Sequence, residues 1–363
     1  MPTISSYTKA DMLSYHTMSD PPFASHYKAF FNDPNKDQQH QNNQDHEVIG
    51  ECELPLIDLR CLKSNDKEER HTCMQVMVKA STEWGFFQVV NHEISPKLLD
   101  EMRREQMKIF RLPFEKKATS LLNDSYRWGT PTATSVTQFS WSEAFHVPLN
   151  RIFDKDCWTG EFSSLREVME KLAGAMSALA CLIARVLAES LGYSGHSFPE
   201  NCNKNTCFIR LNRYPPCPFS PKTFGLTPHT DSDFLTILYQ DQVGGLQLMK
   251  DSKWVAVKPN PHALIVNIGD LFQAWSNDIY KSVEHKVMVN NMDRYSIAYF
   301  LCPSYESTIG SCTKPSPYKS FTFGEFRQQV QEDVKRIGQK IGLSRFLRYK
   351  DEQTQDKVSH QPQ

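Results

Sequence analysis

The chain has no CxxC pair, no excess of either charge and no apolar run that approaches the length of a membrane span. It does not open on a basic segment followed by an apolar core, so no secretory signal is expected. Its 41 basic residues stand against 42 acidic ones, for a net charge of −1. That balance argues against nucleic-acid or membrane-surface binding through bulk charge. The ten cysteines are scattered and read mostly as small buried hydrophobes of a reducing compartment. A cytoplasmic location, with the nucleus as a second compartment, is therefore the expectation. Cys202 and Cys207 are close enough for half of a zinc site, but no second pair matches them.

With 363 residues the chain can bury a large core, as one domain or as a catalytic core with a smaller N-terminal part. Residues 1–47 read as a disordered tail, because Asn32 to Glu47 is almost all Asn, Asp, Gln, His and Lys. His40 and His46 there read as solvated residues rather than metal ligands. Residues 48–200 mix short strands and helices. Order is expected to begin at the strand Leu54–Leu59. A helix ends at Gly85, a strand covers Phe86–Val90, and a helix runs from Pro96 to Phe110. Ser164-Leu165-Arg166-Glu167 reads as a capping box that opens a long core helix, with Gly192 as its C′ residue. Between these helices lie Tyr126–Pro131 and Phe139–His146, where tryptophans stand beside an arginine. They suit plain packing under a loop or the wall of an apolar, acid-bearing pocket.

Residues 201–349 are expected to form the second unit, and within it, from Thr206 to about Cys302, the periodicity switches to two. Strands are expected at Cys207–Tyr214, Phe234–Tyr239, Gly245–Met249, Trp254–Val257, Ala263–Ile268, Lys281–Val289 and Ser296–Leu301, followed by a helix from Phe323 to Ile341. Short strands with close turns indicate an antiparallel sandwich or barrel. Residues 350–363 read as a polar tail.

Chemistry enters at His229-Thr230-Asp231. Residues two apart share a face of an extended strand, and His285 offers a third ligand. Two histidines and a carboxylate form the facial triad of non-haem Fe(II) oxygenases. With twelve histidines, such a pattern alone is weak. Arg294 and Ser296 strengthen it. They share a strand face, and a guanidinium with a hydroxyl forms a fork for a carboxylate such as that of 2-oxoglutarate.

These residues, with Trp84–Val89, Asn91-His92, Asn212–Pro218 and Gly244–Gln247, resemble the plant 2-oxoglutarate and Fe(II)-dependent dioxygenases from about Leu54 to Leu347. The resemblance implies a mainly β fold, a double-stranded β-helix (jelly roll) with flanking helices. It implies Fe(II) on His229, Asp231 and His285, with 2-oxoglutarate on Arg294, Ser296, Tyr214 and Asn212. Dioxygen is the other co-substrate, and ascorbate supports activity. Tyr126–Pro131, Ser140–His146, and Asp333-Val334 with Gly338–Leu343 are similar to marks of gibberellin 2-oxidases that act on twenty-carbon gibberellins. The implied function is 2-hydroxylation and inactivation of gibberellins. Arg127, Trp141, Arg210 and Phe300 are the candidate substrate residues, with a structural ion pair as the plain reading of Arg127. A sibling oxygenase acting on another gibberellin carbon or a flavonoid would share every iron and co-substrate residue. A non-catalytic jelly-roll binding protein would not need Arg294 and Ser296 beside a complete triad. No nucleic-acid or membrane partner is expected, and the sequence leaves the oligomeric state open. Two residues depart from the family. Glu93 stands where Gly is usual and is strained if φ is positive there. Arg213 alternates away from Asn212 and Tyr214 and is not expected at the metal.

Overall fold

The computed structural model describes residues 19–27, 50–119, 125–135, 138–158, 160–193, 202–218 and 223–348. His40, His46 and residues 350–363 lie outside them. The chain runs through α1 (Phe23–His26), β1 (Glu51–Cys52), β2 (Leu56–Asp58), α2 (Lys67–Glu83), β3 (Phe86–Val90), α3 (Pro96–Phe110) and α4 (Phe114–Thr119). Next come β4 (Tyr126–Trp128), β5 (Glu143–Pro148), α5 (Leu149–Phe153), α6 (Ser163–Ser190), β6 (Phe208–Tyr214), β7 (Phe224–His229) and β8 (Leu235–Gln240). The last part holds β9 (Leu246–Lys250), β10 (Lys253–Val257), β11 (Leu264–Ile268), α7 (Asp270–Trp275), β12 (His285–Met288), β13 (Arg294–Leu301), β14 (Thr308–Ile309), β15 (Phe321–Thr322) and α8 (Phe323–Ile337).

Eight strands form one sheet, in the order β2-β3-β11-β8-β13-β6-β5-β4. Five form a second, in the order β1-β10-β9-β12-β7. Phe86, Tyr214 and Ile265 of the first pack with Leu246, Leu248, Val257 and Val287 of the second, so the two sheets close face to face as a double-stranded β-helix. The other face of the large sheet carries Phe145, Leu211, Ile237 and Ile297, which pack on α6 through Met169, Leu172, Met176 and Ile183. Strand alternation thus sends one residue of β6 toward the helices and the next between the sheets.

Several expectations need correction. The predicted 1–47 tail is not structureless throughout. Ser19 to Tyr27 fold against the body, with Phe23 1% exposed and stacked on Trp141 at 4.7 Å between ring centroids. Ordered chain also begins before Leu54, at β1. Helix α6 has Phe162 at its N-cap and no side-chain cap. Ser164 turns its hydroxyl to Glu105 instead of closing the expected box. The capping box of the C-terminal region lies at Thr322 and Glu325. Apolar length was also underestimated: α6, at 28 residues, is long and apolar enough by composition to cross a membrane, and its apolar face lies in the core. Cys61 and Cys73 are joined in a disulfide, so the scattered cysteines are not all free hydrophobes. Cys202 and Cys207 gain no further metal-binding partner among the described residues. Strand β7 was missed, because its Gly225 and Pro228 read as breakers. β4 and β5 were read only as an aromatic region. The expected helix to Ile341 stops at Ile337, where Gly338 turns left-handed at φ +76°.

Glu93 does adopt φ +63°, in the region glycine enters at little cost, and its carboxylate pairs with Lys63 at the surface. Arg213 stays away from the site, as alternation requires. It bonds Glu143 Oε1 at 2.8 Å, Asp20 Oδ1 at 2.7 Å and Asp293 Oδ1 at 2.7 Å. Glu143 also accepts from Lys117 Nζ and Tyr126 Oη, both at 2.5 Å. This buried cluster ties α4, β4, β5, β6 and the N-terminal segment together. Glu143→Gln strips the charge that balances two buried cations and is expected to destabilise the fold by about 3–5 kcal/mol. Urea denaturation measures it, and a loss below about 1 kcal/mol would remove the cluster from the account of stability.

Candidate metal and co-substrate site

Strand β7 ends at His229 and β12 begins at His285. The two are register partners, and their ring centroids lie 4.3 Å apart. Asp231 lies two residues beyond β7. Its Oδ1 is 3.6 Å from His229 Nε2 and 3.8 Å from His285 Nε2. The ligand atoms of all three lie within 4.8 Å of one another. His229 Nδ1 bonds Thr227 O at 2.8 Å and His285 Nδ1 bonds Val283 O at 3.1 Å. A carbonyl can only accept, so both Nδ1 atoms carry the proton and both Nε2 lone pairs face the carboxylate. Burial, with His285 alongside, pushes the His229 pKa down to about 3 and keeps the ring neutral. Burial pushes Asp231 up, but His285, His229 and hydrogen bonds from Thr236 and Asn267 outweigh it and hold the carboxyl below its usual range. Two imidazoles and an ionised carboxylate are the donor set of a non-haem Fe(II) site, so these residues fit the metal.

Beside the triad, Arg294 pairs in register with Tyr214, and Ser296 with Asn212. Asn212 Nδ2 donates to Ser296 Oγ at 3.2 Å. Arg294 Nη2 donates to Gln240 Oε1 at 2.7 Å, and its guanidinium lies 4.8 Å from the Tyr214 ring centroid. The Nε and Nη1 atoms of Arg294 are buried with no hydrogen-bond partner. Buried guanidinium donors left unpaired are costly, and an anionic oxygen placed against one of them relieves that cost. Those orphaned donors, above all Nη1, fit the far carboxylate of 2-oxoglutarate. Gly225 lets the Tyr214 ring lie flat here, since a Cβ at 225 would stand 2.6 Å from Tyr214 Cδ1.

Other candidates divide. Arg210 and Phe300 share the inter-sheet face with Asn212 and Ser296, and Arg127 pairs with Ala144 in the same cross-strand row as Asn212. Arg127 is exposed, and its Nη1 donates to Tyr126 O at 2.7 Å. Trp141 is 4% exposed and packed with Phe23 and Phe139, so its indole takes part in the N-terminal contact.

Sequence reading missed the supports. Asp231 Oδ2 accepts from Thr236 Oγ1 at 2.6 Å and from Asn267 Nδ2 at 2.5 Å. No spacing marks either residue. Lys340 reaches back to the loop between the ligands, with Nζ 2.8 Å from Thr230 O and 2.7 Å from Ser232 Oγ, and it pairs with Asp270 at 2.6 Å. Its only signal was its place in the Gly338–Leu343 mark.

Residues 205–303 match the 2OG-Fe(II) oxygenase superfamily, and residues 54–159 match the family described as non-haem dioxygenase in morphine synthesis N-terminal. The chain belongs to the 2OG-Fe(II) oxygenases, whose cofactor is Fe(II) and whose co-substrate is 2-oxoglutarate. It is 59% identical to Gibberellin 2-beta-dioxygenase 6 of Oryza sativa subsp. japonica, over 83% of this chain and 87% of that protein. It is 57% identical to Gibberellin 2-beta-dioxygenase 8 of Arabidopsis thaliana, over 83% and 89%. Among solved structures, JOX2 in complex with 2OG, Fe and JA superposes with a TM-score of 0.70 at 33% identity, covering 82% of this chain and 90% of that one.

Two outcomes are expected. Lys340→Met frees the loop that carries Asp231 and weakens Fe(II) binding about ten-fold in an anaerobic titration. Unchanged iron affinity would show that the loop holds itself. Arg294→Lys exchanges a planar fork for a point charge and weakens 2-oxoglutarate binding by roughly 1.5–3 kcal/mol, with iron retained. Calorimetry on the metal-loaded protein reads it, and loss of iron with intact co-substrate affinity would reverse the two roles.

Proposed function

We propose that this dioxygenase hydroxylates gibberellins at carbon 2, with twenty-carbon precursors preferred, and so lowers the supply of active hormone. The observation that carries the reading is the identity to two gibberellin 2-beta-dioxygenases over most of the chain. In this reading His229, Asp231 and His285 hold Fe(II), which when bound supplies the activation of dioxygen that oxidises 2-oxoglutarate and substrate together. Arg294 and Ser296 grip the far carboxylate of 2-oxoglutarate, and Asn212 orients the serine hydroxyl through its amide. Thr236 and Asn267 fix one oxygen of Asp231, which leaves the other for the metal. Phe208 and Phe300 stack at 4.3 Å on the inter-sheet face and offer an apolar ledge to a terpenoid ring system. Arg127 meets an acid group of the substrate.

The test is anaerobic reconstitution with Fe(II), then air, 2-oxoglutarate, ascorbate and a panel of gibberellins, with products identified by mass spectrometry. The expected result is one added oxygen at carbon 2, succinate formed in step, and faster turnover of twenty-carbon than nineteen-carbon forms. Oxidation at another carbon overturns the reaction assigned. Preference for nineteen-carbon forms overturns the substrate size alone.

A further inference from the structure

The inter-sheet wall beside the triad carries more positive charge than 2-oxoglutarate needs. Across β4, β5, β6 and β13 the register sets Arg127, Ala144, Asn212 and Ser296 in one row. The next row on the same face holds His146, Arg210 and Ala298. The intervening row, Phe145, Leu211 and Ile297, points the other way into the helix-side core. Arg127, His146 and Arg210 therefore face the same space as the co-substrate anchors. The His146 ring lies 4.0 Å from that of Phe208, which stacks in turn on Phe300, so an apolar ledge runs beside these cations.

Arg210 is half-buried, and its Nε is held at 2.8 Å by the neutral amide oxygen of Asn212. Arg327, from the first turns of α8, acts electrostatically on the same His146 as Arg210 and Arg127 do. No carboxylate of the described residues forms an ion pair with Arg210 or Arg327. The acid that does act on Arg210 is Asp231, the triad's own carboxylate. Partly buried cations without counter-ions are costly, and an anionic ligand removes the cost.

We propose that Arg210 and Arg327, flanked by His146 and Arg127, form a subsite for the second carboxylate of a dicarboxylic substrate. This deepens the gibberellin reading and rests on it. Twenty-carbon precursors carry two free carboxylates, whereas in nineteen-carbon forms one of them is closed into a lactone. A wall that binds the second carboxylate thus measures substrate class by charge as well as by size. His146 suits the same role. Burial and the three guanidiniums hold its pKa down to about 3, so at neutral pH it donates a hydrogen bond without adding charge. Arg327 is a specificity-determining residue here, and Phe323, whose ring centroid lies 6.0 Å from its guanidinium, sets where it stands on the helix.

The experiment uses full-length protein with Fe(II) and 2-oxoglutarate. It compares three substrates: a dicarboxylic twenty-carbon gibberellin, its monomethyl esters, and a nineteen-carbon lactone. In Arg327→Gln the KM for the dicarboxylate should rise about ten-fold, the size of one charged hydrogen bond, with kcat nearly unchanged. The KM values for the esters that lack the second charge, for the lactone and for 2-oxoglutarate should stay within about two-fold. Arg327→Lys keeps the charge and should recover part of the loss, which also guards against a folding defect in the glutamine variant. An equal rise for all substrates, or none for the dicarboxylate, overturns this inference while the gibberellin reading stands. Failure of the wild-type protein to oxidise any gibberellin overturns both.

Discussion

An ionised carboxylate held out of water between two imidazoles is the constraint on which this structure turns. Asp231 is 8% exposed, and burial alone would drive a proton onto it. The protein answers with two donors on one oxygen, Thr236 and Asn267, and two imidazole nitrogens near the other. Those partners come from β8, β11, β7 and β12, so both sheets must be in register before the site exists. The site is therefore a product of the whole β-helix, although its ligands are three residues. Asp233, two positions on, shows the alternative outcome. Burial and the nearby Asp231 push its pKa well up, and it has no second cluster of donors to offset them.

Strand alternation keeps two sets of charges apart. On β6, Arg210, Asn212 and Tyr214 face between the sheets, while Arg213 on the opposite face closes the cluster with Glu143, Asp20 and Asp293. The cluster facing the helices is internally satisfied and holds elements together. The inter-sheet set leaves guanidinium atoms without partners, and unsatisfied buried groups mark the surface where ligands complete the structure. One strand with a period of two thus carries stability on one face and recognition on the other.

The sequence made the inter-sheet set legible for the same reason. Residues two apart on a strand must share a face, so His229 with Asp231, Arg294 with Ser296, and Asn212 with Tyr214 could each be paired before any coordinates. The strand boundaries of the jelly roll fell within a few residues for six of the seven expected strands, because β-branched and aromatic runs there are bounded by turns. What stayed hidden depends on distance along the chain. Lys340 is 110 residues from the carbonyl it holds, and Asp20 is 193 residues from Arg213. The Phe23 contact was obscured because the Asn- and Gln-rich stretch that follows coloured the whole N-terminus as solvated. Trp141 shows the limit of composition. A tryptophan near an arginine is equally a wall or a packing unit, and its stacking on Phe23 could not be read from composition.

Charge counting connects these observations. Arg294, Arg210 and Arg127 face the inter-sheet space, Arg327 acts there from α8, and Asp231 is the acid that Arg210 senses. A divalent cation and a dianionic co-substrate cancel each other, so loading the site leaves the wall as positive as before. Arg294 is consumed by the co-substrate, and Asp231 by the metal. Arg210 and Arg327 have no carboxylate ion-paired to them among the described residues, in a space that burial makes poor in water, where an unpaired charge is most costly. A neutral terpenoid would cover them without relief, whereas an acid relieves them in proportion to its charge. The same low dielectric that fixes Asp231 between its histidines therefore favours an acidic substrate next to it.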